Sequence, residues 1–262
     1  MVTLIGMGSG KWEALSEQAQ QAVRSAGLVF GAKRLLAGLP ADCTARQFAL
    51  YQPADILETL AQNPGQDAVV LYSGDTGFYS GASGLLTPLR ALGIPARVYP
   101  GVSSIQLLSA ALGRPWQDWK LVSAHGCACD PVAECMMNRS VFFLTGGTET
   151  PASLCQKLTD AGMGEAHGVV GENLGTEAET IRYGSAAELA GQSFAPLSVL
   201  LVENFDLPQL RAPGFPDESF IRSEVPMTKQ EVRAAALAKL AVMPTDTLWD
   251  VGAGTGSVSV EL

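Results

Sequence analysis

The chain repeatedly sets a short apolar run against a glycine-punctuated turn and follows it with a segment of helical spacing. Val2–Ile5 runs straight into Gly6-Met-Gly8-Ser-Gly10. Leu15, Ala19, Ala22, Val23 and Ala26 then recur at three- and four-residue steps, the spacing of one helical face. Leu28–Phe30 reads as the next strand, and Asp67–Tyr72 as a buried strand ending at Ser73-Gly74-Asp75. Gly81–Leu92 reads as a helix, Ala96–Tyr99 as a strand and Ser103–Leu112 as a helix. Such alternation restricts the chain to an α/β architecture with a mostly parallel sheet, whose ligands bind at the C-terminal strand ends.

After Arg114-Pro115-Trp116 the texture changes. Lys120–Ser123, Ser140–Thr145, Gly168–Gly171 and Ser198–Glu203 read as strands, with a helix near Ala152–Ala161 and a loop at Gly171-Glu-Asn-Leu-Gly175. Leu207–Pro216 carries three prolines and a glycine with little periodicity, the texture of a linker. A capping box, Thr228-Lys-Gln-Glu231, then opens a helix with an apolar stripe of Val232, Ala236 and Leu240, which Pro244 ends. Thr247–Val251 reads as a strand entering Gly252-Ala-Gly254-Thr-Gly256. The expected organisation is a two-lobed domain over 1–205, with lobes of about 1–113 and 118–205. A linker over 206–220 and a second, incomplete unit over 221–262 follow.

Of the 262 residues, 47% are hydrophobic and 16% charged, which supports a packed core rather than disorder. A net charge of −9 argues against a nucleic-acid partner. No apolar run reaches the roughly 18 residues of a membrane span, and the N-terminus lacks a signal-peptide pattern, so the expected compartment is the cytoplasm. Five cysteines, an odd number, read as reduced thiols. Cys127, Cys129, Cys135 and His125 lack the paired C-x-x-C spacing of structural zinc sites, and no metal is expected.

Two glycine loops follow strands. The first fails as a P-loop, because Ile5 and Trp12 stand where glycine and Ser/Thr are required, and Lys11 breaks the dinucleotide spacing. It is either a ligand loop or a plain strand-to-helix turn. The second, Asp250-x-Gly252-x-Gly254-x-Gly256, has the D-x-G-x-G-x-G form of Rossmann-like methyltransferases, where glycines let the backbone approach S-adenosylmethionine. Tyr72-Ser-Gly-Asp-Thr-Gly-Phe-Tyr79 and Pro100-Gly-Val-Ser-Ser104 place small polar groups at two strand ends, as a site or as turns with a helix cap.

The order of these pieces resembles the tetrapyrrole methylase family, the class III methyltransferases. The matching segments are Ile5-Gly-Met-Gly8, Ser73-Gly-Asp-Thr76, Tyr99-Pro-Gly-Val-Ser-Ser104, Ser123-Ala-His-Gly126, Val170-Gly-Glu-Asn-Leu-Gly175 and Leu201-Val-Glu-Asn204. Gly31-Ala-Lys-Arg-Leu-Leu36 and Pro115-Trp116 narrow the resemblance to the branch acting late in cobalamin precursor synthesis. Met227 to Glu261 resembles the start of the Rossmann-like, class I, decarboxylating methyltransferase domain fused to that branch. The chain departs from the family at Ser9-Gly10-Lys11, where Pro-Gly-Asp is usual, and at Thr76, where proline is usual.

The resemblance implies S-adenosylmethionine as cofactor and a tetrapyrrole, a precorrin, as substrate, methylated at meso carbon 5. The fused domain is implied to methylate carbon 15 and remove an acetate carboxyl. The implied cofactor site takes in Gly6, Gly8, Gly74, Asp75, Thr76, Ser103, Ser104, Thr145 and Glu172, between the lobes. Asp250, Gly252, Gly254 and Gly256 mark a second one, which residues 221–262 are expected not to complete. Lys11, Lys33, Arg34 and Arg114 are either partners of substrate carboxylates or surface charges. No catalytic side chain is expected: an enamine carbon needs little activation, and His125 and His167 read as loop or core histidines. A homo-oligomer is expected, with no membrane association. The rival readings are a non-catalytic cofactor or corrinoid sensor, and a class-mate acting on rRNA or a modified histidine.

Overall fold

The computed structural model describes residues 1–204, 214–221, 224–243 and 246–262. It divides into two units, Met1–Leu207 and Pro208–Leu262. The first unit is built on ten strands: β1 (Val2–Gly6), β2 (Leu28–Phe30), β3 (Arg46–Phe48), β4 (Ala68–Tyr72), β5 (Ala96–Tyr99), β6 (Lys120–Ser123), β7 (Ser140–Leu144), β8 (His167–Glu172), β9 (Thr180–Ser185) and β10 (Ser198–Glu203). Its helices are α1 (Glu17–Ser25), α2 (Lys33–Leu36), α3 (Pro53–Gln62), α4 (Ala82–Ala91), α5 (Ser104–Leu112), α6 (Pro131–Met137), α7 (Pro151–Asp160) and α8 (Ala186–Ala190).

The first five strands form a parallel sheet in the order β3-β2-β4-β1-β5. β1, β2 and β4 are buried along their lengths, as expected of strands covered on both faces. Alternate residues feed two cores. Ile5, Val29, Val69 and Leu71 pack with Ala19 and Val23 of α1, whereas Leu4, Phe30 and Val70 pack with Ile56, Leu85 and Leu89 of α3 and α4. The chain leaves β1 toward β2 on one side and leaves β4 toward β5 on the other. That reversal opens a crevice above the C-terminal ends of β4 and β1.

The second sheet, β6-β7-β10-β8-β9, is of mixed pairing. Only β6 and β7 pair in parallel; β10 enters antiparallel between β7 and β8, and β8 forms an antiparallel pair with β9. β9 escaped the sequence reading because Thr-Ile-Arg-Tyr-Gly-Ser is a largely exposed edge strand without an apolar run. Helix α5 joins the two sheets. Ser103 caps it through Gln106, Gly113 closes it at φ 62°, and Ile105 and Leu108 pack on Phe142, Val169 and Leu201 of the second sheet.

Among the described residues of the second unit the helices are α9 (Gln230–Leu240) and α10 (Ser257–Glu261). Three expectations fail here. The capping box at Thr228 does not form: Lys229 occupies the N-cap, and the Thr228 carbonyl accepts from the Arg233 guanidinium. The buried face is not Val232, Ala236 and Leu240 but Arg233 and Leu237, since Val232 and Leu240 are exposed. Arg233 is drawn inward by Glu261 and Asp217, each 2.7 Å away, and by the ring of Phe220. Thr247–Val251 is not a strand, because no described segment offers it a ladder partner, and Trp249 and Val251 are exposed. Pro244 and most of the expected linker (205–213) lie outside the described residues. No helix among the described residues is long and apolar enough to cross a membrane.

Candidate functional site

Three loops, following β1, β4 and β5, meet backbone to backbone. A Cβ on Gly6 would lie 2.6 Å from the Gly74 carbonyl oxygen, and one on Gly101 would lie 2.3 Å from it. Glycine at both positions is therefore a requirement of close approach. Gly8 and Gly74, both at positive φ, exchange two hydrogen bonds, at 3.1 Å from the Gly8 N–H and 2.9 Å from the Gly74 N–H. Asp75 ties the remaining gap: Oδ1 accepts from the Gly77 N–H at 2.8 Å and Oδ2 from the Gly101 N–H at 3.1 Å.

These loops wall a cavity of about 310 Å³ that the second sheet closes from the other side. Of the residues singled out in sequence, Gly8, Gly74, Asp75, Ser104 and Thr145 line it. Gly6 lies beneath the loops, while Ser103 is buried and bonded to Gln106. Thr76 turns toward the Tyr99 carbonyl at 3.4 Å. Glu172 does not reach the cavity: it is buried, paired with Arg182 at 2.8 Å and accepts from the Ala195 N–H at 2.6 Å, which makes it a brace of the second sheet. Asp250, Gly252, Gly254 and Gly256 belong to the other unit, where the glycines take positive φ and Asp250 accepts from the Ser259 hydroxyl.

Tyr79, which was not expected at the site, and His125, which read as a loop or core histidine, both line the cavity. Tyr79 adopts φ 47°, and its hydroxyl donates to the Leu121 carbonyl of the second sheet at 3.0 Å. Burial pushes its phenol up from the ordinary value. The positive φ of a non-glycine residue is invisible in sequence. Opposite the glycine loops the lining is apolar, with Leu107, Leu144, Leu174, Leu197 and Val199.

Among the four candidate cations only Arg34 lines the cavity, bonded to the Ser73 hydroxyl. Arg114 is instead committed to Glu203, which it grips through two nitrogens at 2.9 and 2.5 Å. That hydrogen bond, more than the surrounding charges, holds the Glu203 carboxyl below its ordinary pKa. A lowered carboxylate stabilises the fold above its unfolded value, and the contribution is lost as pH falls through the folded one. Arg114→Ala is expected to cost about 1–3 kcal/mol at pH 7 by stranding a buried acceptor. Relative to the parent, the variant's deficit should shrink on acidification below about pH 4. Urea midpoints at neutral and acid pH measure both effects, and a deficit that grows on acidification would contradict the assignment.

Burial pushes the Cys135 and Cys155 thiols up to about 12, so both are inert core groups. Among the described residues no cluster of three or more His, Cys, Asp or Glu side chains has the arrangement of a metal site.

The family model of the tetrapyrrole (corrin/porphyrin) methylases matches residues 1–190, and that of a precorrin methyltransferase domain matches residues 219–262. The chain is 30% identical over 266 residues to a precorrin-6Y C(5,15)-methyltransferase (decarboxylating) of a Sinorhizobium species, with 99% of this chain covered. It spans 64% of that relative's length. It is 33% identical over 185 residues to the cobalt-precorrin-7 C(5)-methyltransferase of Salmonella typhimurium, covering 70% of this chain and 90% of that one. Among solved structures, a uroporphyrin-III C-methyltransferase from Thermus thermophilus complexed with S-adenosyl homocysteine matches with a TM-score of 0.62 at 20% identity, over 77% of this chain and 91% of that one.

Proposed function

The chain belongs to the tetrapyrrole (corrin/porphyrin) methylase family, and from that premise we propose that it transfers a methyl group from S-adenosylmethionine to a precorrin in cobalamin biosynthesis. The first unit acts at meso carbon 5. The matched tail begins a domain for methylation at carbon 15 and decarboxylation, in the manner of the precorrin-6Y C(5,15)-methyltransferases. The protein works as a cytoplasmic homo-oligomer.

One observation carries this reading: the cavity built where the loops after β1, β4 and β5 converge. At about 310 Å³ it stands at the lower end of small-ligand sites, which run from about 300 to 1,000 Å³. It suits one cofactor rather than a macrocycle, which reaches the methyl group from the open mouth. The residues fit the cofactor's chemistry. The apolar wall of Leu107, Leu144 and Leu174 suits an adenine face, and Gly8, Gly74, Ser104 and Thr145 offer small or polar surfaces for the ribose and amino-acid ends. When bound, the cofactor supplies a methyl group on a positively charged sulfur. Asp75 fixes the loops around it through the Gly77 and Gly101 N–H groups, and Arg34 at the cavity wall takes one of the substrate's carboxylates. Orientation of this kind contributes about 7–11 kcal/mol to such transfers.

The experiment is incubation of the purified chain with methyl-labelled S-adenosylmethionine and either precorrin-6Y or cobalt-precorrin-7. Label in the macrocycle supports the reading, and none in either macrocycle refutes it.

A further inference from the structure

We infer that His125 is the general base of the cavity, taking the proton released when the ring carbon is methylated; this rests on the methyl-transfer reading above. Among the described residues, four titratable side chains line the cavity: Arg34, Asp75, Tyr79 and His125. Three are already committed. A guanidinium has no lone pair to offer, both Asp75 oxygens accept backbone N–H groups, and the Tyr79 hydroxyl donates to Leu121.

His125 differs because its ring is held in one orientation with one nitrogen left over. Its Nδ1 lies 3.3 Å from the Thr145 carbonyl oxygen. A carbonyl only accepts, so Nδ1 carries the proton and the neutral ring keeps its lone pair on Nε2. Gly146 clears the space for the ring, since a Cβ there would fall 1.8 Å from Nδ1. The charged and titratable groups around it are occupied elsewhere. The Cys127 thiol donates to the His125 carbonyl at 3.5 Å, Glu149 is paired with Lys157 at 2.5 Å, and Tyr79 is bonded across the sheets.

The chemistry balances without a further reactant. The π pair of the enamine carbon forms the new C–C bond to the methyl group, and the C–S bond breaks with its electrons left on sulfur as a neutral thioether. The positive charge passes to the conjugated ring nitrogen as an iminium. His125 Nε2 takes that N–H proton, leaving a neutral imine, and the exposed imidazolium returns it to water. This assigns a catalytic side chain where the sequence alone gave none.

The test compares kcat against pH for the full chain, His125→Asn, Gly146→Ala, and the double variant, with S-adenosylmethionine affinity measured alongside. A base must be unprotonated, so the unsubstituted chain should lose rate on acidification. His125→Asn should lower kcat by about 100-fold or more and remove that acidic limb, while cofactor affinity holds within about threefold. Gly146→Ala displaces the ring and should reproduce the loss, adding nothing further in the double variant. Turnover within about threefold of the parent with an unchanged pH profile in His125→Asn would overturn this inference and leave methyl transfer standing. An unsubstituted chain that methylates neither macrocycle overturns both.

Discussion

Replacing Gly101 with alanine is expected to abolish cofactor binding and destabilise the first unit by about 3 kcal/mol or more, at or above the usual range for overpacking. The new Cβ would stand 2.3 Å from the Gly74 carbonyl oxygen and 2.5 Å from that of Gly6. Neither is a flexible side-chain end. Gly6 closes β1, whose neighbours β4 and β5 are hydrogen-bonded on both sides, so the strain cannot relax locally. The matched control is Gly191→Ala, where the nearest atom lies at 3.9 Å and the φ of −82° suits any residue. Urea midpoints read the difference, and a Gly101→Ala chain as stable as the control would mean that the three loops do not meet.

Asp75→Ala is expected to weaken S-adenosylmethionine binding by about 10- to 100-fold while the fold survives. The carboxylate joins the β4 loop to the β5 loop through the N–H groups of Gly77 and Gly101, and hydrogen bonds to a charged acceptor contribute about 1.5–3 kcal/mol each. Part of that reaches the ligand because these loops form the cavity wall. Asp75→Asn keeps one acceptor oxygen and should recover part of the affinity. Calorimetry giving unchanged binding for the alanine variant would remove Asp75 from the site.

The parallel half of the fold was legible because β1, β2 and β4 are buried on both faces and so carry apolar runs that end at glycines. Each sheet nevertheless hid one edge strand, β3 in the first and β9 in the second. β9 shows exposed residues and the short β3 is polar, and an edge strand has no composition that separates it from a loop. For the site, glycine and aspartate after strands pointed to the loops that line the cavity. Which side chains face the cavity depends on pairing across the two sheets. Glu172 and Arg114 carry attractive charges but are bound to Arg182 on the neighbouring strand and to the sequence-distant Glu203. His125 read as a loop or core histidine for the complementary reason: its orientation depends on a carbonyl 20 positions away. In the second unit, Val232, Ala236 and Leu240 had helical spacing, but the ion pairs of Arg233 set which face turned inward.

On this reading one S-adenosylmethionine binds in the cavity of the first unit. Its most direct test is a titration of the isotopically labelled chain with that cofactor, followed residue by residue by magnetic resonance. Saturation at one equivalent is expected, with the amide signals of Gly8, Gly74, Ser104 and Thr145 displaced and those of Gly252, Gly254 and Gly256 unmoved. Saturation at two equivalents, or displacements confined to residues 250–256, would contradict the account.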